Sequence, residues 1–305
     1  MAISFLSKNA QILVSVTANH YLCIIMKQLK YYILTIVTLV VLLKVCGNQV
    51  GTSQDIKQDI QKETGTATTT SDHPTIHQDK LEIPAPLTNQ EEIILERAGY
   101  TVSYNPTTKL PNWVAWHLTA DHVDGSYGRK GIKFREDEDV PTPRATDADY
   151  RGSGYDRGHM CPSGDNKWSE EAQWQSFLFT NACPQNHNLN RGDWNEMEIQ
   201  CRKWAQEMGE LYIVSGPILF KGEHETIGDN KVVVPEAFFK IVLCMKDTPK
   251  AIGFIYRNAE GNRPKGDYVN TVDDVERITN IDFFPSLPDE VEKAVEATAN
   301  LADWH

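Results

Sequence analysis

The chain has 305 residues with Lys+Arg 30 against Asp+Glu 42, a formal net charge of −12. Its 40% hydrophobic and 24% charged residues suit one large globular domain or two, and exclude both a polytopic membrane protein and a wholly disordered chain. The acidic balance excludes a protein that coats nucleic acid by bulk charge alone, and Cys 6 is too few for a disulfide-built miniprotein.

In chain order, Lys27 and Lys30 precede an apolar run from Tyr31 to Leu43. That run is short for a bilayer-spanning helix, which needs about 20 residues, and basic-then-apolar order fits an export signal. A signal normally opens a protein, so the expected translation start is Met26. Cys46, between the run and Gly47, resembles the lipid-acceptor cysteine of a bacterial lipoprotein, although Lys44 and Val45 stand where small residues are usual. An ordinary cleaved signal and an uncleaved anchor are the alternatives. The expectation is an exported protein, either secreted or a periplasmic or cell-surface lipoprotein, touching membrane only through that segment. Residues 1–46 are thus an address. Residues 47–86, rich in Thr, Gln, Asp and Ser and closed by Pro84 and Pro86, read as a flexible linker that cannot bury enough surface to offset its ordering entropy. The folded domain is expected over 87–305.

Within that domain, strands are predicted at Trp113–Leu118, Phe177–Asn181, Leu211–Ser215, Phe238–Met245 and Ala251–Tyr256. Helices are predicted near Ser169–Ser176 and Asp289–Asn300, and most clearly over Asn190–Met208. There Trp194, Met197, Cys201, Trp204 and Met208 make one apolar stripe at helical spacing. Asn190 then falls at the helix start, where Asn usually caps. Strands and helices do not alternate regularly, which points to an α+β sheet with packed helices rather than a doubly wound fold.

Charge is uneven along the domain. From Arg129 to Lys167 basic and acidic residues balance inside an otherwise acidic domain, so a polyanion would be expected there, through Arg129, Lys130, Lys133, Arg135, Arg144, Arg151 and Arg157. The same segment holds Asp156-Arg157-Gly158-His159, with Gly152, Gly154 and Gly158 marking tight backbone. A histidine can act as a base near neutrality, and an arginine beside it is a fixed cation. Downstream come Asn181, Asn190 and Glu198. On one straight helix, Asn190 and Glu198 would be separated by about 12 Å, too far for both to ligate one ion directly. Trp168 and Trp174 could stack on bases, though buried packing is the plainer expectation.

Asp149 to Met160, followed by Asn181, Asn190 and Glu198, resembles the DNA/RNA non-specific endonuclease family, which includes endonuclease G-like enzymes. Phe134 to Asp137 and Tyr212 to Pro217 extend the resemblance over most of residues 90–290. It implies a ββα-metal nuclease fold with a mostly antiparallel central sheet flanked by helices. It implies His159 as general base, Asn190 as direct ligand of one Mg²⁺ (or Mn²⁺ or another divalent ion), and Glu198 holding the ion through water. Asn181 would support the site, and Arg157 and Arg135 would stabilise the phosphate. DNA and RNA are the implied substrates and 5′-phosphates the implied products. A homodimer and an inhibitor protein are left open as partners.

Two other readings compete. His159, Cys161, Cys183 and His187 could form a four-ligand zinc site, and the pairing of Cys161, Cys183, Cys201 and Cys244 is open. A catalytically silent nucleic-acid- or partner-binding module could also use the same fold. Gly-x-Ser-x-Gly, His-Glu-x-x-His and Walker A signatures are absent.

Overall fold

The computed structural model describes residues 80–220 and 222–304. The expected start at Met26, the apolar run, Cys46 and the linker up to residue 79 lie outside the described residues. No helix among the described residues is long and apolar enough to cross a membrane.

Strands β1 (Ile93–Glu96), β2 (Thr101–Asn105), β3 (Leu110–Thr119), β6 (Glu210–Ile218), β9 (Ala237–Cys244), β10 (Lys250–Arg257) and β11 (Val269–Asn270) form a seven-stranded sheet in the order β1-β2-β3-β6-β9-β10-β11. Every pairing in it is antiparallel. Two small antiparallel sheets complete the strand set: β4 (Asp156–His159) with β5 (Ala182–Gln185), and β7 (Thr226–Ile227) with β8 (Val232–Val233). The helices are α1 (Ala120–Val123), α2 (Asp147–Tyr150), α3 (Glu170–Gln175), α4 (His187–Arg191), α5 (Asp193–Met208), α6 (Val272–Thr279) and α7 (Asp289–Glu296).

Successive strand residues point to opposite faces, and here both faces are covered. On β9, Phe238, Val242 and Cys244 join one core, while Phe239, Ile241 and Leu243 join the other. This is why the central strands read as continuous apolar runs instead of an alternating pattern. The first core takes the α5 stripe, with Trp194, Met197 and Trp204 fully buried and Met208 packed at its edge. The second core takes Val272 and Val275 of α6 and Val295 of α7. The antiparallel α+β architecture expected from the sequence is the one observed.

Three boundaries differ from expectation. Leu81 is fully buried in the second core, and Ala85 N–H donates to Asp282 O at 2.9 Å, so the packed chain already includes residues assigned to the linker. Phe177–Asn181 is no strand: Leu178 N–H and Asn181 N–H are satisfied by Gln175 O and Leu178 O, which closes a turn and a short 3-10 helix (Phe179–Asn181), and the strand begins only at Ala182. Finally, the predicted helix 190–208 is two helices. Gly192, at φ −98° and ψ −114°, breaks the path between α4 and α5.

Candidate active site

β4, β5 and the α4–α5 pair make one ββα unit packed beside the large sheet. In its register Arg157 faces Pro184, Gly158 faces Cys183 and His159 faces Ala182. The three glycines noted in the sequence divide by role. Gly152 and Gly154 have positive φ (73° and 86°) in the turn before β4, a conformation costly for other residues. Gly158 is needed for space, since a Cβ there would come 2.2 Å from Gln185 Oε1.

His159 is half-buried on β4, 4.6 Å from the Phe134 ring and 4.9 Å from the Phe177 ring, centre to centre. Burial, and then the Arg129 charge, push its imidazole down to about 3. Neither ring nitrogen hydrogen-bonds to another described residue, and Nε2 is buried without a partner. The ring is therefore neutral at physiological pH with its proton-accepting capacity unspent.

Asn181 is fully buried and clamps the chain just past His159. Its Oδ1 accepts from Cys161 N–H at 2.9 Å, and its Nδ2 donates to Cys161 O and Ser176 O, each at 2.8 Å. Met160 N–H also donates to Asn181 O at 2.9 Å. Asn181 thus positions the β4 end without entering the open site.

Asn190 sits inside α4, whose cap is Asn186, accepting from Asn188 and Leu189 N–H. The expectation that Asn190 caps the long helix is corrected, and the straight-helix spacing to Glu198 no longer holds across the Gly192 break. Asn190 Nδ2 donates to Asp156 Oδ2 at 2.9 Å. This holds the amide and leaves its carbonyl oxygen unused. Asp156 also binds His187 Nδ1 at 2.9 Å, tying α4 to the start of β4.

Glu198 lies on α5 one turn after Trp194, whose indole donates to His159 O at 3.2 Å. No described residue hydrogen-bonds to the Glu198 carboxylate. Burial raises it to about 7, against the pull of Lys240, Arg202 and Arg129. A neutral amide oxygen and an unpaired carboxylate on adjacent helices are hard donors that suit a divalent cation of the Mg²⁺ type.

The cations divide into two groups. Arg144 pairs with Glu136, and both Arg151 and Arg157 pair with Asp147, Arg157 at 2.6 Å. Among the described residues, Arg129, Lys130, Lys133 and Arg135 have no ion pair. Arg135 lies 3.5 Å over the Trp174 ring and donates to Trp174 O at 3.2 Å. Trp174 is 48% exposed, which corrects the expectation that it is buried packing. Trp168 stacks on His122 at 4.6 Å.

Sequence reading missed the charges behind Glu198. Arg202 follows it by one turn and binds buried Asp165 at 2.8 Å, and Trp116 Nε1 also donates to Asp165 at 3.0 Å. Lys240 on β9 is fully buried, with its ammonium 4.5 Å from the Trp194 ring centre and 4.9 Å from that of Trp116. The i,i+4 spacing to Glu198 could have flagged Arg202. Nothing local flags Lys240 or Asp165.

The zinc reading fails on geometry. Among the described residues, the ligand atoms of His159, Cys161, Cys183 and His187 do not converge, and His187 is committed to Asp156. Cys161, Cys183, Cys201 and Cys244 are all free and buried, so no pairing is made. Burial holds the thiols above their usual range, as expected of inert core residues.

A family model for DNA/RNA non-specific endonuclease matches residues 77–290. The chain is 35% identical over 218 residues to the mitochondrial nuclease EXOG of Xenopus laevis, covering 66% of this chain and 60% of that protein. It is 35% identical over 209 residues to nuclease C1 of Cunninghamella echinulata var. echinulata (63% and 83%), and 30% identical over 210 residues to mitochondrial endonuclease G of Homo sapiens (63% and 69%). The chain therefore spans about three fifths of the length of the EXOG relatives it matches. Among solved structures, that of an EndoG/EndoGI complex aligns with a TM-score of 0.62 at 26% identity, covering 66% of this chain and 89% of that one. With a family match over residues 77–290, most of its length, the chain belongs to the DNA/RNA non-specific endonuclease family.

Proposed function

We propose that the domain hydrolyses phosphodiester bonds of DNA and RNA without sequence preference, using a divalent ion, Mg²⁺ before others, and leaving 5′-phosphate ends. The observation that carries this reading is the ββα unit itself. It sets a neutral, uncommitted imidazole on β4 beside helices bearing an amide oxygen and a carboxylate with no protein partner. Asn190 would hold the ion directly and Glu198 would hold it through water. Such an ion, when bound, stabilises charge on phosphate oxygens and on the leaving oxygen.

His159 acts as the base that takes a proton from the attacking water. Its aromatic surroundings keep it unprotonated in the free protein, and the negative charge of a seated phosphodiester offsets the desolvation that holds its basicity down. Arg135 has no competing carboxylate and meets the phosphate first. Arg157 joins by exchanging Asp147 for it. Asn181 keeps the β4 terminus in register and makes no substrate contact. The cationic groups address backbone phosphate and not base edges, so cleavage is insensitive to sequence.

The basic-then-apolar N-terminal segment supports export, with Cys46 as lipid acceptor or, in its place, a cleaved signal or an uncleaved anchor. Mass spectrometry of the mature N-terminus separates the three, and a chain retaining residues 1–25 would exclude the start at Met26.

The deciding experiment is digestion of supercoiled plasmid and single-stranded RNA, with Mg²⁺ and with chelator, alongside His159→Ala. Mg²⁺-dependent nicking of both substrates, lost in the variant, is expected. A well-folded protein that binds but cuts neither substrate with any divalent ion would instead be a silent binding module.

A further inference from the structure

On the face of the sheet opposite α5, the carboxylates of Asp273 and Glu276 on α6 and Glu296 at the end of α7 converge, one oxygen from each lying within 4.8 Å of the others. This is not a solvated acidic patch. Glu296 is only 7% exposed, and its Oε1 is buried with no hydrogen-bond partner. Glu276 spends one oxygen on Phe283 N–H at 2.7 Å and keeps the other. No arginine or lysine pairs with any of the three among the described residues; the nearby Arg277 is taken by Asp274 at 2.6 Å. A buried, unpartnered carboxylate oxygen aimed at two more carboxylates is costly unless a cation or shared protons compensate it.

We infer that Asp273, Glu276 and Glu296 form a second cation site, distinct from the catalytic centre, that takes a calcium-class divalent ion and ties α7 to α6. The donor set is all oxygen, without histidine or cysteine, which selects hard cations over zinc or copper. Three carboxylates gathered from two helices form an irregular set, which calcium accepts more readily than magnesium with its near-ideal octahedral demand. Backbone carbonyls and water complete the six to eight ligands that calcium takes. Asp273 and Glu276 lie within the matched family residues 77–290 and Glu296 beyond them, so the site joins the segment after residue 290 to the family-matched region. Burial and mutual repulsion lift Glu276 to about 7 and Glu296 to about 8, the strain expected of a carboxylate cluster without its counter-charge.

The test is calcium binding and thermal unfolding of the metal-stripped full-length chain, titrated with CaCl₂, for wild type, Glu296→Gln and Asp273→Asn. Wild type should melt several degrees higher with calcium. Each variant should bind one equivalent fewer and lose that rise. Asp273 is exposed, so its variant folds even if the buried substitution does not. The rise should persist in Asn190→Ala, which separates this site from the catalytic one whether or not the chain cleaves nucleic acid. Unchanged calcium stoichiometry and melting in both variants, or no calcium-dependent rise in wild type, would overturn the inference in favour of shared protons.

Discussion

The two faces of the central sheet solve opposite electrostatic problems with the same architecture. On the α5 face, a buried carboxylate, Asp165, is matched by Arg202, and a buried ammonium, Lys240, rests between two tryptophan rings. Among the described residues Arg129, Lys130, Lys133 and Arg135 have no ion pair, and that side is prepared for an anion. On the α6–α7 face the carboxylates outnumber their partners and one buried oxygen is orphaned. That face is prepared for a cation. The difference teaches that net charge, −12 for the chain, says little about local binding chemistry. Only the placement of unpaired charge does.

The largest effect tests the anion-facing side. His159→Ala should lower cleavage by about 10²–10⁴-fold, the usual worth of a general base, with DNA binding retained. A plasmid-nicking assay read beside a binding assay checks it, and an unchanged rate removes His159 from the mechanism.

Asn181→Ala comes next. It strands Cys161 N–H and two carbonyls in a buried place, so stability should fall by about 2–4 kcal/mol in denaturant unfolding. Activity should fall too, through misplacement of the β4 end. A stable, fully active variant would show that the clamp is dispensable.

Smaller again is Trp174→Ala. Loss of a stacking surface costs about 1–3 kcal/mol per base, so KM for single-stranded substrate should rise about tenfold while kcat changes little. Equal effects on kcat would place Trp174, or the Arg135 it supports, in the chemistry itself.

The last effect is a pH dependence on the cation-facing side. Glu276 and Glu296 have folded pKa values raised above the ordinary 4.5. The folded state therefore holds protons that the unfolded state releases. Their contribution to stability is complete below about pH 4.5 and is lost as pH rises through about 7 to 8. In chelator, the melting temperature should drift down across that window, and Glu296→Gln should flatten the drift. A melting temperature that rises over the same window would contradict the assignment.

Much of the front face was legible in the sequence because its signals are local. The α5 stripe and the Asp156-Arg157-Gly158-His159 run each sit within one helix or one strand, whereas Asn190 and Glu198 were brought in by the family resemblance. The strands of the large sheet were legible as apolar runs for the same reason. Phe177–Asn181 misled because it is as apolar as a strand. Leu178 and Asn181 N–H close local turns, the long-range pairing is a single parallel bridge of Leu178 to Arg135, and Asn181 spends its side chain on Cys161 and Ser176.

By itself the sequence determined the α+β class and the amphipathic helix, since periodicity is a property of neighbours along the chain, while the antiparallel sheet and the candidate site residues came from the family resemblance. The tertiary structure alone decided which charges stand unpaired. Asp156 reaches Asn190 and His187 across the ββα unit, Asp165 finds Arg202, Lys240 arrives from β9, and Glu296 meets Asp273 and Glu276 from another helix. These pairings join residues far apart in sequence. Their energies depend on burial and on distances of a few ångströms, which no pattern along one strand or helix encodes.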